Sequence, residues 1–500
     1  MSKMATIRLD PSDNIAVAIR AIAAGEMALQ NAVARADIPL GHKVAVEPIP
    51  AGSPVFKFGQ VIGEALRDIE AGDWVHSHNL GFSQGLARQV AGVARDVALP
   101  LPARLSFKGI RRSSGRVATR NYIGIIASVN CSTTVCRAIA EEANKSLLPR
   151  FANIDGFVPI VHGSGCGAAA NGEGQRLLQR TIAGYCRHPN FGGVLLVGLG
   201  CEVNQIALYA TGGPSDTRAS FDIQRVGGSR AAVEKAMSVL EGIAIAADAV
   251  ERVEAPASEL TVGLQCGGSD GFSGITANPV LGIAMDMLVT AGGTAILSET
   301  PEIYGAEHLL TSRAAPETAA KLMERIAWWE SYASANGASL DNNPSPGNKR
   351  GGLTTILEKS LGAVAKSGRS PLADCYDYAE PVTSKGLVFM DTPGYDPVSA
   401  TGQVAGGANM IVFTTGRGSC FGSRPAPSIK VASNTALFDL MRDDMDQNAG
   451  RLLDGHATLA ELGAELYDLL LNVASGEKSA SERFGYGDNE FVPWTIGAVL

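Results

Sequence analysis

Three cysteines share one setting. Cys166 lies in GSGCG, Cys201 in GLGCE and Cys266 in QCGGSDGFSG; each follows a short apolar run and each touches glycine. Glycine accepts positive φ and lets a backbone approach a ligand closely, whereas a packing thiol is served better by apolar neighbours. Glu202 and Asp270 stand in the same phrases. Thiolates beside a carboxylate suit iron, either one ion or a cluster with an open position. No Cys-x-x-Cys pair speaks for structural zinc. The same three residues also read as small buried hydrophobes, as free cysteine commonly is. Spacing divides evenly between the two readings, and the shared position at strand ends favours the ligand.

His76 and His78 stand at i and i+2 in WVHSHN. On a strand they would point to one face and could serve as metal ligands or as a base and its partner; taken alone, a surface pair is the simpler reading. His162 precedes the first cysteine loop, and His42 reads as structural. Lys349 and Arg350 fall in the turn-rich NPSPGNKRGG, with Lys359, Lys366, Arg120 and Arg417 near other strand ends. Such cations suit a carboxylate-bearing substrate. Cys131, Cys136, Cys186 and Cys375 lack the glycine setting and read as core. GSGCGA fits a dinucleotide loop loosely, but TIAGYCRHPN, about 20 residues on, offers no acid for a ribose.

The elements that must position these residues follow two grammars. Residues 12–80 are short apolar runs between turn signals, the spacing of a small all-β unit. Residues 81–115 show no clear period and end in a Pro-Leu-Pro cluster, which reads as a linker. Beyond it, β-rich runs such as YIGIIASV, LTVGLQ and MIVFTTG alternate with amphipathic stretches such as AAVEKAMSVLEGIAIAA. That alternation indicates parallel α/β sheets. ADAVERVEAPASE reads as a seam between two of them. Ligands of open parallel sheets bind outside the carboxyl ends of the strands, where the glycine-rich phrases fall.

The bulk numbers agree. A chain of 500 residues exceeds one core. Its net charge of −8 argues against nucleic acid or an acidic membrane as the main partner. No run reaches membrane-spanning length, and the first residues lack a signal-peptide core. A soluble, cytoplasmic protein is expected, with its eight cysteines reduced or functional.

HGSGCG, RHPNFGGVLLVGLGCEVNQ, CGGSDGFSGITANP, SETPEIYGAEHLL, NPSPGNKRGGLTTILEKSLG and TTGRGS together resemble the altronate/galactarate dehydratase family, and DNIAVAI through DWVHSHN resembles its fused SAF (β-clip) domain. The resemblance implies an α/β multidomain fold. An N-terminal all-β SAF domain spans 1–85 and a linker 86–115. A middle α/β domain used in dimerisation spans 116–252, and a C-terminal Rossmann-like parallel-sheet domain 253–500. It implies a metal-dependent hydro-lyase that removes water from an aldonate or aldarate, altronate before galactarate, and a homodimer. By the same resemblance Fe2+, or an iron-sulfur cluster with an open iron, or Mn2+, would sit on Cys166, Cys201, Cys266 and Glu202. His76, His78 and Lys349 would serve catalysis, and Arg417, Asp270, Ser269 and Asn348 the substrate; Glu299 is a further motif position. Glu202, Asp270 and Glu299 around a harder cation are the carboxylate-rich alternative. Cys420 departs from the family phrase and is left out. Two other readings are a lyase on another small hydroxy acid, such as sulfolactate, and a non-catalytic sugar-acid-binding or assembly protein.

Overall fold

The computed structural model describes residues 5–29, 32–82, 99–167, 169–209 and 217–497. Its N-terminal unit is all β. Thr6–Ile7, Ile15–Ala18, Lys43–Ala45 and Trp74–Val75 form an antiparallel sheet, and Pro54–Lys57, Gln60–Ala65 and Leu80–Gly81 form a second. Ile15–Ala18 is buried on both faces. Ile15 and Val17 share a core with the C-terminal sheet, while Ala16 and Ala18 pack inside the β unit.

The expected linker is partly a strand. Ser106–Arg111 pairs antiparallel with Val117–Ala118 and with Arg252–Pro256, the expected seam. Phe107, Gly109 and Ile110 are buried while Lys108 and Arg111 stay outside, a pattern that breaks strict alternation and so does not stand out in the sequence. The rest of that segment, 83–98, lies outside the described residues.

The middle unit is a parallel sheet in the order Gly156–Ile160, Tyr122–Ala127, Phe191–Gly198, Arg218–Asp222. Helices Thr133–Ser146 and Ser229–Asp248 cover one face. Helix Glu173–Cys186 covers the other and packs against Asp396–Gly406 of the C-terminal unit, so the two α/β units share one apolar core.

The C-terminal sheet has seven parallel strands, ordered Leu372–Tyr376, Gly386–Met390, Thr294–Leu297, Thr261–Cys266, Met410–Thr415, Ser428–Ala432, Gln447–Asn448. Strands buried on both faces read as continuous apolar runs, which is how VFM, MIVF and AIL appear. Helices Ala277–Thr290 and Leu459–Ala474 pack one face and Asp396–Gly406 the other. Chain order reverses at Thr261–Cys266, whose neighbours are the second and fifth strands of this sheet. A crevice at such a reversal is the default ligand site of an open parallel sheet.

Candidate active site

Cys266 ends the strand at that reversal and is buried. Its Sγ lies 3.0 Å from Lys366 Nζ, 3.7 Å from Glu302 Oε2 and 4.0 Å from Glu299 Oε2. Lys366 Nζ also reaches Glu299 Oε2 at 3.1 Å. Lys359 Nζ meets Glu302 Oε1 at 2.6 Å and Asn343 Oδ1 at 2.9 Å, and Asn343 Nδ2 donates to Glu302 Oε1 at 2.8 Å. Asp396 closes the far side: a Cβ on Gly267 would stand 2.2 Å from its Oδ2. The glycine after the cysteine therefore makes room for a carboxylate.

Each group has a rigid support. Glu299 follows strand Thr294–Leu297 with φ 70°, a conformation rare outside glycine. Its amide donates to Thr392 Oγ1 at 2.9 Å, which fixes the turn. Such strained residues gather at functional sites. Glu302 sits one short turn later, in Thr300–Ile303. Lys359 lies on helix Ile356–Val364, buried along its whole length, and Lys366 on the turn that follows.

Three carboxyl groups and a thiol face two ammonium groups away from water, so they cannot all ionise. Burial, reinforced by Glu302, pushes Glu299 up to about 8. Burial and Glu302 push Asp396 up to about 7. Burial pushes the Cys266 thiol up to about 12 against the pull of Lys366. Burial opposes the charge on Lys359, but Glu302, Cys266 and Glu299 together outweigh it and hold that ammonium above its usual range. At neutral pH the cluster thus holds a proton on Glu299 and shares another on Asp396. Glu299 Oε1 is buried without a hydrogen-bond partner.

Cys266 and Lys359 also line a cleft whose other wall is Lys57 and Phe58 of the β unit. Its volume, about 10 Å³, holds about one water. Above it, Glu358 binds two lysines of the β unit, Lys43 and Lys57, each at 2.8 Å, all three buried. Their pull outweighs burial and holds the Glu358 carboxyl far below the usual carboxylate range. Lys43 Nζ also donates to Gly352 O at 2.6 Å.

Histidines seat the β unit on the C-terminal end of helix Pro346–Arg350. His76 Nε2 lies 2.9 Å from Lys349 O, and His42 Nε2 3.2 Å from Arg350 O. A carbonyl only accepts, so both Nε2 atoms carry hydrogen. Trp74 Nε1 donates to His42 Nδ1 at 3.1 Å, which agrees with that tautomer. Burial lowers both imidazoles, His42 to about 4.

The residues expected from sequence divide. His76 and His78 do not lie on a strand, because it ends at Val75 and His76–Asn79 is a turn; both rings stand against Trp74, and His78 is exposed. Asp270 is buried but spent on its own loop, its Oδ1 accepting from Ser273 Oγ, Ser433 Oγ and two amides. Asn348 caps its helix and donates to Ser269 O at 2.9 Å, so both brace the loop after Cys266. Lys349 is half-buried and Arg417 exposed at the rim, where the Arg417 amide donates to Gly268 O at 2.9 Å.

Cys166 and Cys201 are exposed in loops of the middle sheet, not beside buried Cys266. Glu202 is the staple of the second loop: it accepts from Ser128 Oγ and from the amides of Leu199 and Gly200. Among the described residues the single group of three metal-type donors is Cys266, Glu299 and Glu302, within 4.8 Å of one another. The expected set of three thiols and Glu202 is therefore not assembled, since its members belong to two sheets. Arg120, read as a substrate cation, is buried against Glu482 at 2.6 Å. Glu302, Asp396, Glu358, Lys43 and Lys57 escaped the sequence reading. The one signal was a lysine inside an apolar run, in HKVAV and VFKFG.

Residues 257–499 match the family model described as D-galactarate/altronate dehydratase, C-terminal. Residues 109–248 match the second domain of D-galactarate dehydratase/altronate hydrolase, and 4–83 the altronate/galactarate dehydratase SAF domain. The chain is 38% identical to galactarate dehydratase (L-threo-forming) of Escherichia coli (strain K12), over 96% of this chain and 94% of that one. It is 35% identical to altronate dehydratase of Bacillus subtilis (strain 168), over 94% and 95%. It is 31% identical to the (2R)-sulfolactate sulfo-lyase subunit beta of Chromohalobacter salexigens, over 77% and 96%.

Proposed function

We propose a reaction from one premise: the chain belongs to the galactarate/altronate dehydratase family and is a sugar-acid dehydratase. The observation that supports a site is the buried, proton-sharing cluster of Cys266, Glu299, Glu302, Asp396, Lys359 and Lys366 at the strand reversal. Dehydration of a 2,3-dihydroxy acid takes the C2 proton and expels the C3 hydroxyl as water, leaving an enol that becomes the 2-keto-3-deoxy acid. It needs one group without its proton and one with it at the same pH. Asp396, near 7, is the base. Glu299, near 8, is the acid, its proton shared across Lys366 and Cys266. Lys359 at the cleft wall meets the charge that develops on the enediolate. Lys349 and Arg417 at the rim receive the substrate carboxylate.

The metal of the family reading fits the same donors. In a metal-bound form Cys266, Glu299 and Glu302 would hold Fe2+ or Mn2+ as thiolate and carboxylates, and Glu299 would then serve as a ligand in place of the acid. When bound, the ion would supply Lewis-acid stabilisation of the enediolate. A homodimer and a Rossmann-type ancestry of the C-terminal sheet belong to the same proposal, the sheet supported by its reversal point. No helix of the described residues is long and apolar enough to cross a membrane.

The test is anaerobic turnover with altronate and galactarate side by side, with added ferrous iron or manganese, or with chelator. Keto-deoxy product from either acid supports the reading, and loss with chelator supports the metal. Sulfite release from sulfolactate, with neither sugar acid turned over, would replace the reaction with the sulfo-lyase one.

A further inference from the structure

We propose that a second cavity, on the middle unit and away from Cys266, binds a small multivalent oxyanion, a di- or tricarboxylate or a phosphate ester. Its volume is about 590 Å³, within the usual range of small-molecule sites. Arg111, Arg112, Arg116, Arg187 and Arg218 line it, together with the hydroxyl-bearing turn Ser113–Ser114, and among the described residues no acid lines it. In a chain of net charge −8, four guanidinium groups (Arg111, Arg112, Arg116 and Arg187) on one wall with no carboxylate partner among the described residues are out of proportion.

Among the described residues, Arg111, Arg112, Arg116 and Arg187 form no ion pair with a carboxylate; the contacts of Arg111, Arg112 and Arg116 are carbonyls. Arg112 donates to Pro189 O at 2.8 Å and Arg120 O at 3.1 Å. Arg116 donates to Arg187 O at 3.3 Å and Arg111 to Gly115 O at 3.2 Å. Carbonyls fix a guanidinium in place without cancelling its charge. Burial pushes Arg112 down to about 10, Asp155 only partly opposing it; burial and Arg187 lower Arg116, Glu259 only partly opposing that. Forked donors held in place with charge to spare suit carboxylate and phosphate oxygens. The cavity also lies at a joint. Arg111, Arg112 and Arg116 come from the hairpin that ties the middle unit to strand Arg252–Pro256, and Arg187 and Arg218 come from the middle unit itself. An anion there would brace one against the other.

The probes are pyrophosphate and citrate, titrated calorimetrically into the full chain at constant ionic strength with chloride as the monovalent control. Saturable binding of either is expected. Tighter pyrophosphate identifies a phosphate ester as the ligand class, and tighter citrate a polycarboxylate. The double variant Arg111→Gln/Arg187→Gln, at two exposed positions, should bind at least about tenfold more weakly. Its sugar-acid turnover without added anion should match the parent. Ser113→Glu, which sets a negative charge on the wall and removes no arginine, should weaken binding in the same direction. Heats no greater than those of chloride, or undiminished affinity in both variants, would overturn the site. A changed sedimentation coefficient with unchanged anion affinity would overturn it too, and would make the arginine wall an interface between copies.

Discussion

At the scale of single residues, the chemistry turns on two carboxyl groups that keep protons other carboxyls lose. Glu299 as acid requires its protonated form, so turnover should fall as pH rises through about 8, and on the acid side as Asp396 protonates below about 7. Glu299→Gln keeps the shape and removes the proton. A loss of about 10²–10⁴-fold in kcat is expected, with the alkaline limb gone from what remains; a limb near 8 that persists would place the acid elsewhere. The same protons make a statement about stability. Both folded values are raised above the ordinary ones, 3.8 for Asp396 and 4.5 for Glu299, so the stability they contribute is fully present below about 3.8, declines above that and is gone once pH has risen through 7 to 8. Urea midpoints measured from pH 5 to 9 should decline over that window, and decline less in Glu299→Gln. Cys266 was legible because glycine surrounds it, and it does end a strand of the sheet. Its companions were not legible. Cys166 and Cys201 repeat the local phrase on the other sheet, while the real neighbours come from helices and turns much farther along the chain, Lys366 a hundred residues away and Asp396 farther still. A local pattern reports the backbone a residue needs, not which groups the fold brings to it.

At the scale of elements, the binding of the β unit rests on Glu358 of helix Ile356–Val364. Its two lysines come from strands Lys43–Ala45 and Pro54–Lys57, and the three charged groups are fully buried. Removing one partner of such a network strands the other charges, so Glu358→Gln should cost about 3–5 kcal/mol in chemical denaturation; a cost under about 1 kcal/mol would show that the lysines find water instead. The Glu358 value is depressed, so its contribution is present above about 4.5 and is lost as pH falls below that, the opposite direction from Glu299. The most stable range should therefore lie where both contributions are nearly whole, near pH 4 to 5. Most elements were legible: the alternation of apolar runs and amphipathic stretches in residues 116–500, and the short-strand spacing of 12–80. Two things were not. The pairing of Ser106–Arg111 with Arg252–Pro256 joins segments about 145 residues apart, and neither looks like a strand alone. His76 fell past the end of its strand, because Asn79 Oδ1 takes the His76 amide into a turn at 2.9 Å.

At the scale of the whole molecule, the cleft between the β unit and the C-terminal sheet is too small for a sugar acid. About one water fits where a substrate must lie against Cys266 and Lys359. The β unit must therefore move for substrate to enter, as lids over water-excluding sites do. The hooks that would release it are His76 on Lys349 O and His42 on Arg350 O, stacked at 5.1 Å. Each hydrogen bond contributes about 1 kcal/mol, so His42→Ala/His76→Ala should shift the closed-to-open balance by about 2 kcal/mol, roughly thirtyfold. If closure completes the site, KM should rise and kcat fall together. The amide of Gly271, which donates to Gly351 O at 2.7 Å beneath the hooks, should exchange with deuterium faster in the double variant. Adding substrate should slow that exchange in the parent chain. A KM and kcat both unchanged, with exchange at Gly271 accelerated, would mean that the β unit opens freely but plays no part in the reaction. In that case entry would be by another face of the sheet, and the buried Glu358 network would be a purely structural joint.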